Sequence, residues 1–311
     1  MKYILTTGCS FTNNLRLDPN NLNQSDETRR SWPYYLQQEV GDEYQVLNYG
    51  GATNDNVSMC RIQLYHIDRL IKEGVNPLDI SIITQWSDPA RYSFYVDKQF
   101  TKEKHYLGHT LVYHNNWEHK QGVFFLTGGF GLPPNGPDSA IEYFDIENGI
   151  KFWDLDISYD NQINQTLHWL ELWNLLEIKC KGLGIETYYM SMRNPFSYDA
   201  EKWGGAPNND SSIPTKTNWF EKFEVLKPYL DILPIDSPNY WHYKNYNGLL
   251  EWSIDNRNDE EYPLFQEYVG DRVNNYEDYL KVQPNGWGHP SPQMMKKFIK
   301  TEFIKIWKRK I

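Results

Sequence analysis

Tyr3-Ile4-Leu5-Thr6-Thr7-Gly8-Cys9-Ser10-Phe11-Thr12 opens the chain with a short apolar strand that runs directly into Gly-x-Ser-x-Thr. A small residue after a strand lets the backbone turn sharply. The spacing therefore puts Ser10 at the carboxyl end of a first strand over residues 3–7, the edge where open α/β sheets hold their sites. Working outward, residues 44–48 and 79–85 read as the second and third strands. The third is nearly continuous in β-branched residues, as a strand covered on both faces requires. Helical patterns separate them. One covers 31–41, opened by Ser31-Trp32-Pro33 with Ser31 as cap. The other covers 54–73, apolar at Val57, Ile62, Leu64, Ile67, Leu70 and Ile71 and closed by Gly74. Strand alternating with helix predicts a parallel sheet with right-handed crossovers.

After the third strand the pattern breaks. Residues 92–160 are rich in aromatics, glycine and proline and read as an insertion over the sheet. A helix over 162–181 is apolar nearly all round and is expected to be buried. A fourth strand over 186–192, a helix over 217–230 and a short fifth strand over 231–234 follow. Residues 236–290 are polar and aromatic and read as a loop-rich region. A last helix over 291–310 carries Met295, Phe298, Ile299, Phe303, Ile306 and Trp307 as its apolar set. The expectation is one α/β domain over 1–311 with a mainly parallel five-stranded sheet and long insertions.

The 311 residues carry a formal charge of -10 and are 16% aromatic. A diffuse acidic balance disfavours nucleic-acid backbones, which need clustered Lys and Arg. Three cysteines, Cys9, Cys60 and Cys180, make neither a disulfide framework nor a CxxC metal pattern. The apolar run before Cys9 is shorter than the roughly 7–15 residues of a signal segment, and no stretch approaches the ~20 of a membrane span. A cytoplasmic protein without cofactor is expected. Four of the histidines, His105, His109, His114 and His119, cluster in the insertion, but only the first pair has helical i,i+4 spacing. No metal is expected there.

The groups able to do chemistry fall at strand tips and before the last helix. Ser10 is a nucleophile if a base takes its proton and donors hold the oxyanion. His289, in Gly286-Trp287-Gly288-His289-Pro290-Ser291, is the natural base. Asn48-Tyr49-Gly50-Gly51-Ala52-Thr53-Asn54 follows the second strand and offers the Gly51 N–H and the Asn54 amide. Gln85-Trp86-Ser87-Asp88-Pro89-Ala90-Arg91 follows the third and offers Gln85 and Ser87. Trp86, Arg91 and Trp287 flank these positions as candidate substrate contacts. Each residue also has a plainer use: a turn for Ser10, helix entry on Trp287 for His289, a cap for Asn54, an ion pair with Asp88 or Asp79 for Arg91.

Taken together, these blocks resemble those of the SGNH (GDSL-like) hydrolase superfamily. Gly8-Cys9-Ser10-Phe11-Thr12 is similar to its first block, Asn48 to Asn54 to its second, Gln85 to Asp88 to its third and His289-Pro290-Ser291 to its last. The resemblance implies a flavodoxin-like three-layer α/β/α fold and ester or acyl hydrolysis. It implies Ser10 as nucleophile, His289 as base, and an oxyanion site drawn from Ser10 and Gly51 N–H groups with Asn54, Gln85 or Ser87. The chain departs from the pattern at Cys9 (usually Asp), at Ser87 (usually Asn) and at Gly286 (usually the acid that orients the histidine). A small-molecule or carbohydrate ester is the expected substrate, the latter because abundant Trp and Tyr in the insertions suit stacking on sugar faces. Acyl transfer by the same residues, and ligand binding without catalysis, are the competing expectations.

Overall fold

Side-chain alternation along parallel strands decides which helix covers which face. The computed structural model describes residues 1–9, 11–12, 31–51, 54–87, 93–97, 122–126, 159–192, 225–230, 233–244, 248–256, 290 and 292–307, with 93–97 and 122–126 as backbone alone. In chain order its strands are β1 (Lys2–Thr7), β2 (Tyr44–Asn48), β3 (Ile80–Trp86), β4 (Ser93–Asp97), β5 (Gly122–Leu126), β6 (Glu186–Ser191) and β7 (Tyr240–Trp241). The helices of the sheet layers are α1 (Trp32–Val40), α2 (Asn56–Lys72) and α3 (Tyr159–Leu183). Shorter pieces follow: α4 (Lys227–Leu230), α5 (Leu249–Asn256), α6 (Pro292–Phe298) and α7 (Ile304–Trp307), the last two joined by a π turn, Ile299–Phe303.

Four strands form a parallel sheet in the order β2-β1-β3-β6. Leu5 lies level with Leu47 on one side and Ile82 on the other, and Ile83 lies level with Tyr188. The two-residue β7 pairs in parallel with β6 at the sheet edge. β4 and β5 form a separate antiparallel pair, inside the segment read as an insertion. Ile4, Ile83, Tyr188 and Met190 point to one face, where they are buried with Trp32 and Leu36 of α1 and with Met294, Met295, Phe298 and Phe303 of the terminal helix. Leu5, Ile82, Trp86 and Tyr189 point to the other, against α2 and α3. Helices thus cover both faces of an α/β sheet.

The α2–α3 face also buries ionisable groups. Glu177 of α3 accepts from the Tyr189 hydroxyl and, at 3.4 Å, from Thr187 Oγ1. Burial raises the Glu177 carboxyl above its usual range, and the bonds from Tyr189 and Thr187 pull it partly back. Burial also lifts the Cys60 thiol, pushes Cys180 up to about 12 and raises the Tyr189 phenol.

Several sequence expectations change. Ser31 precedes α1 but makes no capping bond; its Oγ donates instead to Thr12 O at 2.6 Å. Asp55, not Asn54, caps α2, accepting from Ser58 N at 2.7 Å and from Ser58 Oγ at 2.8 Å. Gly74 does terminate α2, at φ +90 with its N–H donating to Ile71 O, a left-handed ending suited to glycine. Residues 231–234 hold no strand among the described positions: Leu233 extends into a 3-10 turn, Pro234–Asp236. The added sheet pairing falls at β7, inside the segment read as loop-rich, and that segment also holds α5. The α3 helix is not buried all round: Leu175 is 57% and Ile178 60% exposed, because one sheet face and α2 cover only part of its circumference. Among the described residues no helix is long and apolar enough to cross a membrane.

Candidate active site at the strand tips

Parallel strands bring all their carboxyl ends to one edge, so the tips of β1, β2, β3 and β6 meet there. The β1 tip is held by a close turn in which Thr12 N–H donates to Cys9 O at 3.0 Å. Gly8 is required by space: a Cβ there would lie 1.9 Å from Thr12 Oγ1 and 3.0 Å from Gln85 Cβ. Thr12 is the hub of the edge. Its hydroxyl accepts from Trp32 Nε1 at 3.1 Å and donates to Gln85 Oε1 at 2.6 Å. Its carbonyl accepts from Ser31 Oγ and, at 2.8 Å, from Asn48 Nδ2. Cys9 Sγ–H donates to Met192 Sδ at 3.2 Å, which ties the β1 tip to the end of β6.

The β2 tip folds onto the same turn. Gly51 N–H donates to Gly8 O at 3.0 Å, and Asn54 Nδ2 donates to the same carbonyl at 3.2 Å. The Gly51 N–H is thus engaged in joining two strand tips. Asn54 is fully buried, with Oδ1 lacking a hydrogen-bond partner among the described residues. Tyr49 stacks on His66 with ring centroids 3.6 Å apart and accepts from Arg69 Nη2 at 3.1 Å. Burial raises its phenol, and the guanidinium opposes the rise.

At the β3 tip the strand alternation separates Gln85 from Trp86. Gln85 is fully buried beside Gly8, and its Nε2 has no partner among the described residues. Trp86 turns to the opposite face, 1% exposed, edge-on to Trp169 at 5.4 Å and to Trp173 at 6.1 Å. Its ring is packed in the core on the side away from Gln85, as the period of two requires. Ser87 is 2% exposed, and the Asn56 carboxamide holds both its backbone groups, accepting from Ser87 N at 2.8 Å and donating to Ser87 O at 3.2 Å.

Ser10, His289, Arg91 and Trp287 lie outside the described residues, as do His105, His109, His114 and His119. Their described neighbours are Cys9 and Phe11 for Ser10 and the buried Pro290 for His289. Cys9 and Phe11 belong to one buried cluster with Met294 and Met295 of α6. Among the described residues no three His, Cys, Asp or Glu side chains are grouped to hold a metal ion. The sequence reading missed Thr12, Trp32, Asn48 and Asn56 as parts of the edge. Thr12 stands within the quoted first block and Asn48 within the second, so position alone could have raised them. Comparison with protein-family models, curated proteins and solved structures returns no match.

Proposed function

We propose that the chain is a serine esterase or deacetylase of SGNH type, with Ser10 as nucleophile and His289 as general base. The carrying observation is convergence: the Gly8–Thr12, Gly51–Asn54 and Gln85–Ser87 segments are bonded to one another or to a shared turn at one sheet edge. A second support is the cluster that joins Cys9 and Phe11 to Met294 and Met295, the buried flanks of the two reacting positions. In this reading the whole chain is one flavodoxin-like α/β/α domain, with β7 as the fifth strand; the order β2-β1-β3 agrees with that doubly wound arrangement.

Ser10 Oγ attacks the ester carbonyl as His289 takes the hydroxyl proton. The carbonyl electrons move to an oxyanion held by the Ser10 N–H and a side-chain amide, Asn54 or Gln85. Collapse expels the alcohol, which takes the proton from His289, and water then releases the acid by the same steps. With Gly286 where an acid is usual, Ser10 and His289 work as a dyad, or as a triad with an acid from elsewhere in the chain. The substrate is a small or carbohydrate ester; an acceptor alcohol in place of water turns the same chemistry into acyl transfer.

A fluorophosphonate probe tests the reading by intact mass and peptide mapping. One adduct on Ser10 in wild type, lost in His289→Ala, is expected. A folded wild type that neither forms the adduct nor hydrolyses p-nitrophenyl acetate overturns it. That outcome selects the second reading, a binding protein on the same fold, which the engaged Gly51 N–H favours.

A further inference from the structure

The geometry points to Gln85 as the side-chain donor to the substrate carbonyl oxygen, with Thr12 and Trp32 as the positioning residues that aim it. The inference rests on the serine-hydrolase reading and names which residue completes its oxyanion site. An indole N–H only donates, so the 3.1 Å contact from Trp32 Nε1 makes Thr12 Oγ1 an acceptor. The single Thr12 hydroxyl hydrogen is then free for Gln85 Oε1, 2.6 Å away. Thr12 Oγ1 can accept twice, but the opposite placement of the amide would leave the Thr12 hydrogen without the Gln85 acceptor. The network thus favours the Gln85 oxygen toward Thr12 and its nitrogen away from it.

That nitrogen carries two hydrogens, is fully buried and has no acceptor among the described residues. An unpaired buried donor is costly, and such groups are kept where a ligand uses them. The backbone donors at this edge are engaged; the buried Thr7 hydroxyl, also without a partner among the described residues, stands with Leu5 on the α2–α3 side of the sheet. Gly51 N–H and Asn54 Nδ2 both bond to Gly8 O, and Ser87 N–H is taken by Asn56. Asn54 also holds an unpaired oxygen, which would repel a developing oxyanion. Gln85 lies directly against Gly8, two residues before Ser10 in the chain; the space a Cβ on Gly8 would need is filled by Thr12 and by Gln85 Cβ. A neutral amide donor oriented in advance has the chemistry to stabilise charge that develops only in the transition state.

The test combines p-nitrophenyl acetate kinetics, fluorophosphonate labelling and circular dichroism on wild type, Gln85→Glu, Gln85→Met, Thr12→Val and Thr12→Ser. Gln85→Glu keeps the acceptor for Thr12 and removes the donor. It and Gln85→Met are expected to keep KM and lose kcat by about 10²–10³-fold. Thr12→Val is expected to lose up to about 10²-fold, the effect of a misaimed group, and Thr12→Ser, which keeps the hydroxyl, to restore most of it. In wild type, the Gln85 side-chain amide protons are expected to move downfield in the NMR spectrum when the phosphonyl adduct forms. A wild type with neither adduct nor turnover overturns the hydrolase reading and this assignment together. A reactive wild type whose folded Gln85 variants turn over within about threefold of it overturns the assignment alone. An unmoved Gln85 amide signal in the adduct does the same, without depending on any variant folding.

Discussion

Across the sheet, the α2–α3 face and the α1 face bury polar groups of different kinds. The first packs Glu177, Tyr189, Cys60 and Cys180 near the strand middles, and burial pushes all four away from their charged forms. The second, where it reaches the strand tips, buries Thr12, Gln85 and the Trp32 indole and half-buries Asn48, and their bonds need no ionised partner. pH therefore acts on the two faces differently. Titration of the first set changes how stable the fold is. The second set keeps its geometry through the same range and leaves one donor, Gln85 Nε2, over.

The comparison breaks most severely at Trp86→Ala. That residue is packed against Trp169, Trp173, Tyr189 and Tyr240 on the α2–α3 face, and losing it is expected to cost about 3–5 kcal/mol in denaturant unfolding. A smaller, more local effect is expected at the tips. In Gly8→Ala the new methyl meets Thr12 and Gln85 Cβ, so about 1–3 kcal/mol is lost, and Ser10 labelling falls further than stability does. If labelling survives Gly8→Ala, the hub does not organise the reactive edge.

Glu177→Gln sharpens the comparison with the smallest effect. The Glu177 pKa is raised in the fold by burial, so its neutral form is the one favoured there. Its stabilising contribution is full below the ordinary value of 4.5 and is lost as pH rises through the folded-state pKa. The Tm of Glu177→Gln is therefore expected to approach or exceed that of wild type with rising pH, and the gap to shift the other way below pH 4.5. Thermal melts across that range check it; a gap independent of pH removes Glu177 as a titrating group.

Local patterns were legible and long-range ones were not. Residues 44–48 match β2 because an apolar run bounded by Gly41 and the paired glycines leaves little choice of register. The helix over 54–73 was placed to within two residues at its start, and its ending at Gly74 was read from one glycine. The run 231–234 looked like a strand because Ile232 and Leu233 are apolar, yet Pro234 starts a turn. The pairing moved to Tyr240–Trp241, between a proline and a histidine. At the candidate site, the segments that meet were legible from their places after successive strands. Trp86 and Gln85 went to opposite faces, however, and only the alternation of β3 says which is which. The bonds among Thr12, Trp32, Asn48 and Gln85 join residues 20 to 73 positions apart, and no local spacing announces them.

Asn56 has a mechanical consequence. Its carboxamide meets both the N–H and the C=O of Ser87, as the backbone of one more strand would. A side chain at the first residue of α2 thereby impersonates a neighbouring strand for the last stretch of β3. The helix and the strand tip are pinned at two points, which suppresses twist between them as well as separation. Any tilt of α2 is carried to the tip as a rotation, and Ser87, two residues on from Gln85, moves with the helix.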